Sequence, residues 1–259
     1  MTADLWPIVA APFIGSFLGV LIVRLPDDAP VLVARSRCAA CGRALGPLEL
    51  VPLVSWLVQR GRCRRCAAPL SRFYPAIELA ALAVALWAWS AWPGVGVAGQ
   101  ANPTPGVFLW ASCLLGWTLL ALAVIDQRAL LLPDALTLPL IAAGLAVAWL
   151  GDRASLPDHL IGAAAGYLAF VLVELVYARL RGRAGLGRGD AKLLAAAGAW
   201  VSWSALPHVV LVAAISALLA VGVARLAGRS VTATSRVAFG PWLALGTWLV
   251  WLYGPPSFA

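Results

Sequence analysis

Residues 107–125 read VFLWASCLLGWTLLALAVI and contain no charged side chain. A run of about 18 or more apolar residues can cross the hydrocarbon core of a bilayer as an α-helix. The run ends directly at Asp126, so a carboxylate lies at the edge of this span. The whole chain has the same character, since 62% of its 259 residues are hydrophobic and 12% are charged, against about 25% charged in soluble domains. The sequence therefore predicts an all-α polytopic membrane protein.

Further apolar runs extend this prediction to about eight transmembrane helices. The sixth is short enough to be tilted or re-entrant. The predicted spans are Leu5–Val23, Pro75–Trp92, Val107–Ile125, Ala129–Leu150, His159–Ala178, Ala191–Trp203, Leu206–Ala224 and Val237–Tyr253.

The positive charges predict the orientation, because Lys and Arg are retained on the cytoplasmic side of a membrane. With eight spans and the N-terminus outside, 18 of the 19 Lys and Arg side chains are cytoplasmic and only Arg153 is outside. This distribution explains the net charge of +8 as a topology signal. We therefore expect contact with membrane lipid, including anionic lipid, and no nucleic-acid partner.

The loop Arg24–Tyr74 carries two Cys-x2-Cys pairs that are separated by 21 residues, Cys38 with Cys41 and Cys63 with Cys66. Pairs with this spacing predict a tetrahedral four-thiolate zinc site, and four protein ligands leave no open position for catalysis. Redox-active or metal-free cysteines are the alternative. A disulfide is the weaker interpretation, because thiols stay reduced in the cytoplasm.

The same loop suggests how the chain is divided. We assign residues 1–25 to a first transmembrane helix, residues 26–74 to a cytoplasmic four-cysteine zinc-binding domain and residues 75–259 to a seven-helix membrane domain. Between the cysteine pairs, the segment Pro47–Val58 is strongly apolar but too short to cross a bilayer. We expect this segment to lie on the bilayer surface or to pack against the helices.

Several acidic residues lie in or beside the predicted spans, where an ionisable group is costly and therefore a functional candidate. They are Glu78, Asp126, Asp134, Glu174 and Asp190. Asp126 and Asp190 belong to different spans and are both predicted at the cytoplasmic edge. Two carboxylates that meet there could share a proton and activate water, as in aspartic proteolysis.

Structural explanations for these acids stay open. Asp190 could cap a helix, Asp126 could pair with Arg128, and Asp134 could cap a helix turn. Glu78 and Glu174 could pair with loop arginines. Composition and spacing alone do not choose Asp126 and Asp190 over the other acids.

Two other protease classes lack the residues they need. The only histidines, His159 and His208, are predicted on the outer side, and neither belongs to an HExxH motif. The chain also has no GxSxG motif. A metalloprotease or serine protease mechanism on the cytoplasmic side would therefore have no histidine to use.

A set of motifs in the same order resembles the type IV prepilin leader peptidases, the bifunctional peptidase/N-methyltransferases of the GxGD aspartic protease group. The motifs are GSFLGVLIVRLP at 15–26, SRCAAC at 36–41, VPLVSW at 51–56, RGRCRRC at 60–66, YPAIE at 74–78, IDQRALLLPD at 125–134, GRGDAKLL at 187–194 and FGP at 239–241.

The resemblance implies that Asp126 and Asp190 are the catalytic pair, and that the four cysteines bind zinc. It implies supporting roles for nearby residues, namely Gly187, Gly189, Lys192, Pro133 and Asp134. The expected reaction removes the basic leader of type IV prepilins or pseudopilins at the cytoplasmic face of the bacterial inner membrane, for a pilus or for type II secretion. The new N-terminus would then be methylated with S-adenosylmethionine, and Gly61 and Glu78 are the methyltransferase candidates.

Two further functions remain alternatives to the enzyme. One is a non-enzymatic membrane assembly scaffold with a structural zinc hairpin. The other is a transporter in which the intramembrane acids relay protons.

Overall fold

The computed structural model describes residues 5–31, 33, 35–91, 105–182, 187–228 and 238–255. Within these ranges the secondary structure is α-helical apart from two short 3-10 turns and two isolated β-bridges. The helices are α1 (Trp6–Arg24), α2 (Val54–Val58), α3 (Phe73–Ala91), α4 (Pro105–Ala129), α5 (Asp134–Gly151), α6 (Leu156–Arg181), α7 (Arg188–Leu226) and α8 (Gly240–Tyr253). The predicted all-α architecture is confirmed.

Six of the helices are long and apolar enough to cross a membrane, namely α1, α3, α4, α5, α6 and α7. The chain is therefore an integral membrane protein. Helix α8 is apolar but has only 14 residues, and α7 covers two of the predicted spans. The count of eight spans stays a prediction. Two predicted span ends, Trp92 and Val237, lie outside the described residues, as do Arg183, Arg229 and Arg236.

The boundary between the third and fourth predicted spans is wrong by several residues. Helix α4 continues to Ala129, and α5 begins only at Asp134. Leu130 has a left-handed backbone with φ of 52°, which ends α4. Pro133 is the extended N-cap of α5. The four residues between the helices form a tight connection directly after Asp126.

Helix α7 is broken at Ser202, whose φ of 67° and ψ of 172° are not helical. A straight helix of its 39 residues would be about 58 Å long, nearly twice the roughly 30 Å hydrocarbon core. The break makes two arms, as the predicted sixth and seventh spans require. Near the break, Nδ1 of His159 lies 2.9 Å from the carbonyl oxygen of Ala199. His159 thus occupies a buried structural position at the end of the first arm.

Small residues let α6 approach the first arm of α7. A Cβ atom on Gly162 would lie 2.6 Å from the Gly198 carbonyl oxygen, and one on Gly166 would lie 2.6 Å from the Leu194 carbonyl oxygen. Such contacts leave no room for side chains, as in other closely packed membrane helices. The first arm, which begins with the Asp190 motif, is therefore held firmly against its neighbour.

Candidate active site and metal centre

Asp126 lies three residues before the end of α4 and is buried. Its Oδ2 accepts a hydrogen bond of 2.9 Å from the backbone N–H of Gly240, the first residue of α8. A Cβ atom on Gly240 would lie 2.7 Å from the same oxygen. The start of α8 therefore fixes the carboxylate of Asp126, and only glycine leaves room for it.

Asp190 is the third residue of α7, whose N-cap is Gly187. Its carboxylate lies close enough to that of Asp126 for the two to interact electrostatically. Asp190 Oδ1 is shielded from solvent and has no hydrogen-bond partner among the described residues. The structure thus brings together two carboxylates from α4 and α7, one of them with an unsatisfied oxygen.

The connection between α4 and α5 packs against the start of α7. A Cβ atom on Gly189 would lie 2.9 Å from Leu132 Cβ. Beside this contact, the Lys192 ammonium forms an ion pair with the Asp134 carboxylate. Gly187 is different, because the nearest atom to its Cβ position is Asp190 Oδ2 at 3.5 Å. The segments that follow Asp126 and surround Asp190 are therefore in direct contact.

Two structural explanations from the sequence are not seen. The guanidinium of Arg128 lies over the ring of Phe73, 4.5 Å from its centroid, and no ion pair in the described part of the chain joins Arg128 to Asp126. The cap of the α5 turn is Pro133, so Asp134 is not the N-cap. Arg128 contacts α3 instead, and Asp134 is the first residue of α5 and pairs with Lys192.

The two remaining acids of the membrane helices, Glu174 and Glu78, have different kinds of partner. Glu174 does pair with an arginine, since Arg188 Nε lies 3.8 Å from its Oε2. Glu78 instead accepts a hydrogen bond of 2.7 Å from the backbone N–H of Leu53. Glu78 therefore joins the cysteine domain to α3.

The four predicted metal ligands form one cluster, and their sulfur atoms all lie within 4.8 Å of one another. Sγ of Cys38 and Sγ of Cys66 are 3.8 Å apart. A tetrahedral site with Zn–S bonds of about 2.3 Å has sulfur atoms roughly 3.8 Å apart. Cys38, Cys41, Cys63 and Cys66 are thus positioned to bind a metal ion.

The two cysteine turns are built alike. The Cys38 N–H donates to the Arg43 carbonyl oxygen at 2.9 Å, and the Cys63 N–H donates to that of Ala68 at 2.9 Å. Each turn closes with a β-bridge, Arg37 to Ala44 in the first and Arg62 to Pro69 in the second. The left-handed position that follows the second cysteine is Gly42 in the first turn and Ala67 in the second. The domain therefore consists of two related turns that present two sulfurs each.

The turns also set the charge of the thiols. Two backbone N–H groups within its own turn hold the pKa of Cys38 below its usual value. The corresponding groups lower the pKa of Cys63 to about 6. For Cys66, desolvation and the three nearby sulfurs outweigh a backbone hydrogen bond and raise the pKa to about 11. The backbone of each turn thus favours the thiolate of its first cysteine, whereas the crowding of the sulfurs opposes the thiolate of Cys66, and a bound cation would relieve this crowding.

The two methyltransferase candidates contact opposite ends of the segment around α2. Glu78 binds the Leu53 N–H just before α2 begins. Gly61 has φ of 65°, and a Cβ atom there would lie 2.8 Å from the ring of Trp56. Each residue therefore has a visible structural role in holding this segment.

One site residue received no role from the sequence. Gly240 is part of the FGP motif, but its contact with Asp126 joins positions 114 residues apart. The available signal was a glycine followed by Pro241 at the start of an apolar run. Such a signal predicts where a helix starts, but it does not predict which residue packs against that start.

Comparison with known proteins assigns both halves of the chain to known families. The bacterial peptidase A24 N-terminal domain matches residues 9–92, and the type IV leader peptidase family matches residues 113–222. Several relatives carry the name prepilin leader peptidase/N-methyltransferase, and three of them illustrate the similarity. The Aeromonas hydrophila protein is 41% identical over 93% of this chain and 87% of its own length. The Burkholderia pseudomallei protein is 40% identical over 97% and 85%, and that of Pseudomonas aeruginosa is 36% identical over 93% and 87%.

No solved structure matches the chain at a significant level. The family domains nevertheless cover the cysteine cluster and both aspartates, and the identity extends over nearly the whole sequence. The chain is an enzyme that belongs to the type IV leader peptidase family.

Proposed function

We propose that the protein is a membrane aspartic endopeptidase that removes the basic leader from type IV prepilins or pseudopilins, with Asp126 and Asp190 as its catalytic pair. The observation that carries this proposal is the packing of the connection after Asp126 against the start of α7, which brings Asp190 within electrostatic reach of Asp126. The names of the relatives supply the class of substrate. The unsatisfied Oδ1 of Asp190 is the type of atom that a catalytic water or a substrate carbonyl would engage.

The pair would act by exchanging protons. Two neighbouring carboxylates would not both ionise cheaply, so the pair would share one proton. The ionised group would take a proton from water as the water attacks the scissile carbonyl. The protonated group would donate to the carbonyl oxygen and, in the next step, a proton would pass to the leaving amine. The Gly240 N–H would keep the Asp126 carboxylate in position throughout.

The five supporting residues would act by keeping the two aspartates in fixed positions relative to each other. Gly189 would allow the α4–α5 connection to lie against α7, and Pro133 would fix the start of α5. The ion pair between Lys192 and Asp134 would tie the same two segments together. Gly187 would serve as the N-cap of α7, with its Cβ position at an ordinary contact distance of 3.5 Å from Asp190 Oδ2.

The arginine distribution supports a place in the bacterial inner membrane with the N-terminus outside and the active site at the cytoplasmic face. A basic leader would remain on that side. The apolar helix that follows the leader in such substrates would lie among the membrane spans. The assignment of residues 1–25, 26–74 and 75–259 to a helix, a zinc domain and a peptidase domain belongs to the same proposal.

The four-cysteine cluster would hold Zn²⁺ as a structural ion. With four thiolate ligands it would stabilise the domain and leave no position for substrate. The sulfur separation of 3.8 Å supports zinc rather than a disulfide.

Methylation of the new N-terminus is the second proposed activity, because the relatives are named for it. S-adenosylmethionine would supply the methyl group. The segment near α2 suits a polar ligand, since Glu49 Oε1, Trp56 Nε1 and Gln59 Oε1 are buried without partners among the described residues. Gly61 and Glu78 would shape this region through their contacts with Trp56 and Leu53.

The test uses the purified full-length protein in lipid and a synthetic prepilin, with products identified by intact mass. Loss of the leader at one peptide bond supports the peptidase, and an added methyl group that requires S-adenosylmethionine supports the second activity. Folded, zinc-loaded protein that leaves several prepilins intact would instead favour a scaffold.

A further inference from the structure

The segment between the two cysteine turns has an apolar surface that no other described part of the chain covers. Five of its large apolar side chains are between 44% and 75% exposed, which is unusual for a small domain in water. They are Leu48, Leu50, Val54, Leu57 and Val58. We refer to Pro47–Gln59 as the apolar insert.

The attachment of the apolar insert fixes its depth. The Leu53 N–H binds Oε2 of Glu78, and Glu78 lies five residues inside α3, about 7.5 Å along the helix from its start. A Cβ atom on Gly15 would lie 2.6 Å from Glu78 Cα, so α1 packs directly against α3 at this level, nine residues before the end of α1. Leu53 is therefore level with inner turns of α1 and α3 and not with their ends, and both helices are candidate membrane spans.

The charges next to the apolar insert indicate which kind of partner covers its apolar surface. Arginines directly after it are exposed, namely Arg60, Arg62, Arg64, Arg65 and Arg72. Glu49, the acid within the insert, is buried and paired with Arg43 at 2.8 Å, and Glu78, which binds Leu53, is buried as well. An exposed apolar surface beside cationic groups is typical of segments that bind an anionic membrane surface. A basic peptide would be repelled from the same place.

We propose that the apolar insert is embedded in the membrane leaflet next to the cysteine domain, with Val54, Leu57 and Val58 among lipid acyl chains and the arginines at the phosphates of anionic phospholipids. The cysteine domain then rests on the bilayer instead of extending into water. This proposal does not depend on the catalytic role of any residue.

The first test places a photoreactive p-benzoylphenylalanine in full-length protein reconstituted in lipid nanodiscs. The labelled positions are Leu57, Leu168 as an exposed side chain of a membrane span, and Ala154 as an exposed turn residue between α5 and α6. We expect lipid adducts at Leu57 with a yield like that at Leu168, and almost none at Ala154. Adducts with a second copy or with added prepilin in place of lipid, or a yield at Leu57 as low as at Ala154, would overturn the proposal.

The second test concerns the headgroups. In nanodiscs with equal phosphatidylglycerol and phosphatidylcholine, adducts at Leu57 should be enriched in phosphatidylglycerol. The Arg60→Gln/Arg62→Gln variant should lose this enrichment, whereas Arg153→Gln, on the opposite side of the predicted topology, should keep it. Equal capture of phosphatidylglycerol and phosphatidylcholine by the wild-type protein would contradict the role that we give to the arginines.

Discussion

The backbone N–H of Gly240 donates a hydrogen bond of 2.9 Å to Oδ2 of Asp126. Because a Cβ atom on Gly240 would lie 2.7 Å from that oxygen, α8 can begin here only with glycine unless the carboxylate moves. The relationship ties the last helix of the chain to the candidate catalytic pair, and it gives a physical reason for the FGP motif.

Replacement of Gly240 by alanine should therefore displace the Asp126 carboxylate. We expect prepilin cleavage to fall by about 10²-fold, as a misplacement of roughly 1 Å can cost, while the protein still folds and binds metal. Steady-state cleavage by intact mass measures this. The matched control is Gly222→Ala in α7, where a Cβ atom meets nothing within 4 Å. Equal activity of the two variants would show that Gly240 does not position Asp126.

The two glycines of the GxGD segment should respond differently to alanine. Gly189→Ala presses a methyl group onto Leu132 and should lower cleavage, and the double variant Gly189→Ala/Leu132→Ala should recover part of the loss. Gly187→Ala should keep most of the activity, because its Cβ position is at ordinary contact distance from Asp190. Cleavage rates of these variants and the wild-type protein test this, and a more severe effect at Gly187 would contradict the packing seen here.

The ion pair between Lys192 and Asp134 should contribute modestly. Their side chains are 30% and 56% exposed, and such pairs contribute about 0.2–1 kcal/mol. We expect a coupling energy in that range from a double-mutant cycle on unfolding, with Asp134→Ala and Lys192→Ala. Cleavage should fall by less than the general acid–base range of about 10²–10⁴-fold. A loss at Asp134→Ala as large as at Asp126 would make Asp134 a catalytic group.

Metal binding should depend on four of the five cysteines. Cys63→Ser removes one corner of the sulfur cluster and should reduce the zinc content of the purified protein from one ion per chain to a small fraction. Cys113→Ser is the control, because this thiol is buried in α4 outside the cluster. Elemental analysis measures both proteins. Full zinc occupancy in Cys63→Ser would refute the four-thiolate assignment.

The sequence was sufficient where local pattern determines structure. Apolar runs such as 107–125 predicted the helices, because length and composition alone decide whether a segment can span a bilayer. The spacing of Cys38, Cys41, Cys63 and Cys66 predicted the sulfur cluster, because each pair forms within one short turn.

The features that the sequence missed depend on contacts between distant segments. The start of α5 at Asp134 follows from the left-handed backbone of Leu130. A leucine in the sequence does not predict this conformation. The placement of Gly240 against Asp126 and of Arg128 on Phe73 arises from helix packing, which no local pattern contains. The approach of Asp126 to Asp190 was suggested by predicted topology and by family resemblance, and spacing alone did not select this pair.

The most direct measurement is cleavage of a prepilin by Asp126→Asn and Asp190→Asn, compared with the wild-type protein in the same lipid. Asparagine keeps the size of the side chain and the acceptor for the Gly240 N–H, but it cannot carry the shared proton. We expect each variant to fold, to retain zinc and to lose cleavage by about 10²–10⁴-fold, the range for general acid–base groups. Cleavage by either variant at the wild-type rate would contradict the assignment of these two aspartates as the catalytic pair.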